Sequence, residues 1–267
     1  MGWKIVSVAR ETKCLSEAEL ARLDDMRAAL EEHRRKGLTD KNLTVIRQVL
    51  TEGIWDEVVA LPGKMMERAR ALRDQAPVKA AVTAQLATAI AIFTFAPIRL
   101  GNLISIRLEE NLIRPSGPNG PYWLVFPDYD VKNRVTLQFK LQPELSELID
   151  EYINDYRPAL LRGSKDLWLF PGQKRAIKNS RTLSLQVTDR VIKATGLRIT
   201  VHQFRHAAAA IFLKHRPGQY ELVRQMLGHR SIQTTMNFYV GLENIQATEI
   251  FGDIIRQRMN KLPEAAE

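Results

Sequence analysis

The stretch TGLRITVHQFRHAAAAIFLKHRPGQYELVRQMLGHRSIQTTMNFYV, Thr195 to Val240, decides how the chain is read. Its apolar spacing predicts helices around 202–214 and 219–227 and a further piece near 231–240. Gly228 stands where the second of these should stop. Polar residues mark the seams. His202 and Arg205 lie three apart and so share a helix face. His229 directly follows Gly228, and Tyr239 sits among apolar neighbours. Each has an ordinary explanation: a satisfied core histidine, a dipole partner at a helix C-terminus, a core aromatic. A histidine and an arginine beside a run of small residues equally make an anion site.

The charge around this stretch favours an anionic partner. From Arg157 to Arg216 there are thirteen lysines and arginines against two acidic residues, an excess larger than the +9 of the whole 267-residue chain. A sequence pI near 9.7 points the same way, with nucleic acid and anionic membrane surface as the leading classes. A solvated basic face explains a short run of such charge. Over sixty residues a phosphate-binding surface is as good an explanation, and Lys174, Arg175, Lys178 and Arg181 are its candidate contacts.

Upstream, Ala80–Ile98 carries no charge and is long enough to cross a bilayer, but it is rich in alanine, holds Thr83, Gln85, Thr88 and Thr94, and ends beside Pro97. A buried helix of a soluble core is the better reading. Arg99 follows it at once, where a charge is costly to bury unless paired; alone, it could simply cap a helix or reach the surface. Residues 122–141 predict a hairpin or three-stranded meander. In RVTLQFKL, Val135, Leu137, Phe139 and Leu141 alternate with polar residues, and Lys132 and Asn133 fall near the turn. Before Arg73–Ala81 the chain reads as helical. Ser16 and Glu19 form a capping-box pattern ahead of Leu20, Leu23, Met26 and Leu30, with Gly37 as the stop, and shorter helices follow at Asn42–Thr51 and Pro62–Arg73. Near the end, helices are expected at 183–195 and, as a separate pair, at 231–240 and 243–260. A single cysteine, Cys14, excludes an internal disulfide and fits a reducing cytoplasm. The N-terminus lacks the apolar core of a signal peptide.

Taken in order, Arg99, Lys132, His202-x-x-Arg205, Gly228-His229 and Tyr239 resemble the catalytic set of the tyrosine site-specific recombinases, the phage integrase family. APIRLGNLISIRLEEN resembles that family's first arginine box, VKNRVTLQFKL its lysine hairpin, and LWLFPG the segment before its basic loop. The opening stretch resembles its second box nearly end to end. The resemblance covers roughly residues 78–245. It departs from the family at Asn102, where an acidic residue is usual three positions after the first arginine. An amide can accept a hydrogen bond from Arg99 but gives up charge assistance.

The resemblance implies a mainly α fold with a small antiparallel sheet. It assigns residues 76–267 to the catalytic domain and residues 1–75 to a helical region that is part of a DNA-gripping unit. It implies DNA strand exchange through a 3′-phosphotyrosyl link at Tyr239. Arg99 and Arg205 would grip the phosphate, His229 would donate to one of its oxygens, Lys132 would protonate the leaving 5′-oxygen, and His202 would take up the tyrosine proton or hold the site's hydrogen bonds. It further implies double-stranded DNA as partner, a homotetramer on DNA, a cytoplasmic location, no membrane association, and no metal or small-molecule cofactor. Two other readings stay open from sequence: a DNA-binding protein that does not cleave, and a type IB topoisomerase-like relaxase. The C-terminal stripe Ile245, Ile250, Ile254 and Ile255 fits packing on its own domain and docking on a neighbour equally well.

Overall fold

A computed structural model describes residues 2–12, 15–32, 37–51, 53–173 and 176–259. Cys14, Lys174 and Arg175 lie outside the described residues. The fold is mainly helical with one small antiparallel sheet.

Helix α1 (Gly2–Thr12) packs on α2 (Glu17–Glu32), and α3 (Asp40–Val49) and α4 (Ile54–Leu72) follow. The capping box at the start of α2 forms: the Ser16 N–H and hydroxyl both donate to the Glu19 carboxylate, at 2.8 and 2.7 Å. The apolar stripe of α2 is only half used. Leu20 and Leu23 are half-buried, whereas Met26 and Leu30 are exposed. Helix α4 begins at Ile54 and carries Pro62 in its interior instead of starting there. The stripe Val58, Leu61, Met65, Met66 and Ala69 runs unbroken through the proline. Burial of that stripe against the next helix offsets the hydrogen bond a mid-helix proline forfeits.

That next helix, α5 (Pro77–Phe95), organises the core. Proline at its first turn costs nothing, because the missing N–H has no intrahelical partner there. Nearly every residue from Ala80 to Phe93 is buried, and its alanines let α4, α9 and α10 approach closely. It is long and apolar enough to span a membrane, but most of it lies inside the protein. Short α6 (Leu100–Ile104) leads to strands β1 (Leu112–Ile113), β2 (Trp123–Phe126) and β3 (Leu137–Lys140), paired in that order. Register pairs Leu124 with Leu112 on one side and with Phe139 on the other. Then come α7 (Pro143–Glu151), a π-helical turn (Tyr152–Tyr156) and α8 (Arg157–Leu161). Two ion pairs, Arg70 with Glu151 at 2.6 Å and Arg73 with Asp155 at 3.1 Å, tie α4 to this segment.

The last part comprises α9 (Ser180–Thr195), α10 (Val201–His215), α11 (Tyr220–Leu227) and α12 (Ile232–Met259). The expected pair of helices at 231–240 and 243–260 is one continuous helix. Residues 241–242, which lie between the two expected helices, are helical, and the mid-helix Gly241 costs only about 1 kcal/mol. A large core includes residues of α3, α4, α5, α9 and α10. A second, smaller cluster joins Ala209, Leu213, Tyr220, Val223, Leu227 and Tyr239 between α10, α11 and α12.

The basic excess between 157 and 216 is not all surface. Arg157 is buried and donates to the backbone carbonyls of Trp168, at 2.9 Å, and Asp166, so it ties α8 to the LWLFPG segment.

Candidate active site

The N-terminus of α10 is fixed by a capping box: the Thr200 N–H and hydroxyl donate to the Gln203 side chain at 2.8 and 2.9 Å. This sets the rotation of α10 and turns His202, Arg205 and His206 toward the loop before α6 and the start of α12. Arg205 is buried, 4% exposed, and its guanidinium donates to the carbonyls of Pro97 and Leu227, the latter at 2.7 Å. Those carbonyls belong to the segments that present Arg99 and His229. Two of the five guanidinium N–H donors are used this way, which leaves three free for an anion.

Arg99 caps α6 from an extended backbone conformation and is half-buried. Its Nη1 is buried without a hydrogen-bond partner among the described residues. Asn102 does not hold it. The Asn102 amide N–H instead donates weakly, at 3.5 Å, to the Asp130 carbonyl. An unpartnered buried guanidinium nitrogen is a standing cost that an anionic oxygen would relieve.

His229 owes its place to a Schellman turn. The Gly228 N–H donates to the Gln225 carbonyl at 3.0 Å and the His229 N–H to that of Arg224 at 2.9 Å. Gly228 takes φ +59°, and a Cβ there would come within 2.7 Å of the Leu137 side chain on β3. His229 Nδ1 meets the Thr235 hydroxyl at 2.9 Å. If that hydroxyl donates, Nε2 carries the imidazole proton and is left to donate. The β2–β3 turn docks on the same loop: the Asn133 amide donates to the Gly228 carbonyl at 2.8 Å, and Arg230 Nε donates to the Asn133 carbonyl at 2.5 Å. Lys132 projects from that turn and is exposed.

Tyr239 is 1% exposed. Its hydroxyl lies 2.9 Å from His206 Nδ1, and His206 Nε2 lies 3.2 Å from His202 Nε2. His202, placed beside the tyrosine proton by resemblance, is therefore one residue removed from it. His206 is the residue that the sequence reading passed over, although it follows His202 by one helical turn on the same face.

Electrostatics reflect the crowding of cations. Burial and the neighbouring Arg99 lower the Arg205 guanidinium to about 10, still charged at neutral pH. Burial first, then Arg205 and Arg99, push His229 down to about 4. Burial, with His202, Arg205 and His229 adding to it, pushes His206 to about 3. Burial first, then Arg205 and Arg99, lower His202 as well. All three histidines are neutral at pH 7. Burial raises the Tyr239 phenol, with Arg205 opposing.

Arg99, Arg205, His202, His229 and Tyr239 thus share one electrostatic neighbourhood, and Lys132 lies next in sequence to Asn133, which docks on the Gly228 loop. Lys178 and Arg181 do not join that neighbourhood: no hydrogen bond among the described residues links them to it. Lys178 is half-buried in a separate cleft of about 400 Å³ with Gln85, Arg162 and Asn179. Arg181, in the first turn of α9, is exposed. Among the described residues no three His, Cys, Asp or Glu side chains gather as a metal-binding set.

Residues 64–244 match the profile of the Phage integrase family, a span that includes every residue of this cluster. The chain belongs to the phage integrase family. Within it, a curated relative is transposase A from transposon Tn554 of Staphylococcus aureus, 26% identical over 167 residues that make up 61% of this chain and 45% of the relative. Among solved structures, the XerH site-specific recombinase in a post-cleavage complex with palindromic difH substrate superposes with a TM-score of 0.53. It is 19% identical, over 83% of this chain and 54% of that one. The pre-cleavage XerH complex with difH superposes at 0.50, 22% identical, over 71% and 51%. These likenesses confirm the integrase fold, mainly helical with a small antiparallel sheet. The chain spans about half the length of the relatives it matches.

Proposed function

We propose that this integrase-family protein carries out site-specific DNA recombination, cleaving and rejoining strands through a 3′-phosphotyrosyl intermediate at Tyr239. The observation that carries the reading is the buried hydroxyl of Tyr239, bonded to His206 on the helix that bears Arg205, with Arg99 and His229 in the same electrostatic neighbourhood. A covalent phosphotyrosine keeps the energy of the broken phosphodiester for resealing. The transition state spreads negative charge over the non-bridging oxygens, and two guanidiniums match that charge in a fork. In this scheme the three free N–H groups of Arg205 and the unpartnered Nη1 of Arg99 take the phosphate oxygens. His229, oriented by Thr235, donates from Nε2 as a neutral imidazole. Lys132 reaches in from the β2–β3 turn to protonate the departing 5′-oxygen. His202 belongs to the route by which Tyr239 loses its proton.

Residues 76–267 would hold the chemistry, and the helices of residues 1–75 would contribute part of the grip on duplex DNA. Lys174, Arg175, Lys178 and Arg181 would contact its backbone. Assembly as a homotetramer on DNA would use the far end of α12, where Ile250, Phe251, Ile254, Ile255 and Met259 are exposed. The location would be the cytoplasm.

The test is a set of nicked duplexes spanning the DNA that flanks the gene, incubated with the protein and resolved on a denaturing gel. A protein–DNA adduct in the wild type that vanishes in Tyr239→Phe is expected. The sealed position of Tyr239 favours one other reading, a sequence-preferring DNA-binding protein whose tyrosine never reaches a phosphate. Salt-sensitive binding without an adduct on any duplex is the result that would replace the first reading with the second.

A further inference from the structure

The proposed reaction needs the phenol of Tyr239 to lose its proton inside a pocket whose other charges are positive. We propose that His206 is the group that takes this proton and that His202 passes it to solvent, so that the two histidines form a relay from a sealed hydroxyl to the protein surface. This inference rests on the recombinase reading and names a catalytic residue that the resemblance does not supply.

The geometry has three parts. First, the only side chain within hydrogen-bond reach of the Tyr239 hydroxyl among the described residues is His206, through Nδ1 at 2.9 Å. Second, His206 is 6% exposed and cannot hand a proton to water itself. Its other nitrogen, Nε2, lies 3.2 Å from Nε2 of His202, one turn back on α10. Third, His202 is exposed, so the chain of contacts ends in solvent. The rings are set for this. His206 and His202 meet edge to face, 86° apart with centroids at 4.7 Å and their Nε2 atoms 3.2 Å apart. On its other side His206 stacks on Phe238, 21° from parallel with centroids at 5.7 Å. The apolar Phe238 offers the imidazole nothing to donate to, so both nitrogens stay committed to Tyr239 and His202. No carboxylate among the described residues bonds either histidine.

The step balances with one tautomer. His206 carries its proton on Nε2 and accepts the phenol at Nδ1; His202 carries its proton on Nδ1 and accepts at Nε2. As the Tyr239 oxygen forms its bond to phosphorus, its O–H breaks and the proton joins Nδ1 of His206. The Nε2 proton of His206 moves to Nε2 of His202, and His202 releases its Nδ1 proton to water. The 5′-oxygen leaves with the electron pair of the broken P–O bond and takes a proton from Lys132. Rejoining runs the same path backwards. Arg205 and Arg99 are the cations beside the relay, and their field keeps the proton from resting on the histidines, so it passes through.

The experiment compares wild type, His206→Asn and His206→Ala on the nicked duplex that yields an adduct, by single-turnover rate and by DNA affinity. Asn keeps a hydrogen-bonding group beside the Tyr239 hydroxyl but cannot relay, so cleavage should fall about 100-fold or more with DNA binding unchanged. In His206→Ala, added imidazoles should restore cleavage, with rates that rise in step with the basicity of the imidazole used. A purely structural role would give rescue that ignores basicity. Thermal melts of both variants establish that they fold, and if Ala does not, the Asn variant decides. Wild-type adduct with Asn cleaving at the wild-type rate, or rescue independent of basicity, overturns the relay and leaves the recombinase reading standing. No adduct from the wild type on any flanking duplex overturns both.

Discussion

Arg205 does two things with one guanidinium. It faces the place proposed for the phosphate, and it also holds the Pro97 and Leu227 carbonyls, hence the segments bearing Arg99 and His229. Arg205→Lys keeps the charge but not the fork. Adduct formation is expected to drop about 100-fold or more. The stranded carbonyls should also cost on the order of 1–3 kcal/mol in a denaturant melt. Thr235→Val removes one hydroxyl at nearly constant volume. If that hydroxyl fixes the His229 tautomer, cleavage falls about five- to tenfold, the worth of a single ordinary hydrogen bond, and Thr235→Ser restores it. His206 makes stability depend on pH. Folded, it stays neutral to about 3; unfolded, it protonates near 6.5. Above pH 6.5 both states are neutral and the group is silent. As pH falls from 6.5 toward 3 only the unfolded chain gains the proton, so stability declines, by at most about 1.4 kcal/mol per pH unit from this group. Urea melts at pH 7 and pH 5 should show the decline, and His206→Asn should flatten it.

At the scale of elements, the hairpin and the Schellman turn behave as one part. Gly228 is needed twice, for its positive φ and for the space taken by Leu137 of β3. Gly228→Ala should therefore destabilise by more than the usual mid-helix glycine exchange and move His229. A melt and the cleavage rate measured on one preparation check both. The hairpin was legible in sequence because a half-buried strand shows its alternation openly, as Leu137, Gln138, Phe139 and Lys140 do. Helix ends at Ser16 and Gly228 were legible for an equally local reason, cap chemistry. What escaped reading was set by packing. Pro62 looks like a start until the stripe on both sides of it is buried, and the pair expected at 231–240 and 243–260 proves to be one helix that simply continues. Arg157 looks like a phosphate contact because a run of basic residues says nothing about which of them turn inward. His206 hid beside Arg205: neighbours in sequence point about 100° apart on a helix, and only the step of four from His202 marked it. Thr235 carried no signal, since threonine is common in such segments.

In the whole molecule, the core does not respect the composition break near residue 75. Ile46 and Val49 of α3 and Val58, Leu61, Met65, Met66 and Ala69 of α4 are buried in the same cluster as α5. Arg70 and Arg73 reach across to Glu151 and Asp155. Removing residues 1–75 should strip one side of α5 and abolish cooperative unfolding, as read by circular dichroism on heating. Removing residues 1–15 should leave the transition cooperative, because α1 packs mainly on α2. At the other end, Tyr239 and the exposed Ile254 belong to one uninterrupted rod, separated along its axis by roughly 22 Å at about 1.5 Å per residue. A hydrogen-bonded helix transmits tilt along its length instead of absorbing it midway. Whatever clamps the far tip therefore constrains the tilt of the same rod that carries the Tyr239 hydroxyl.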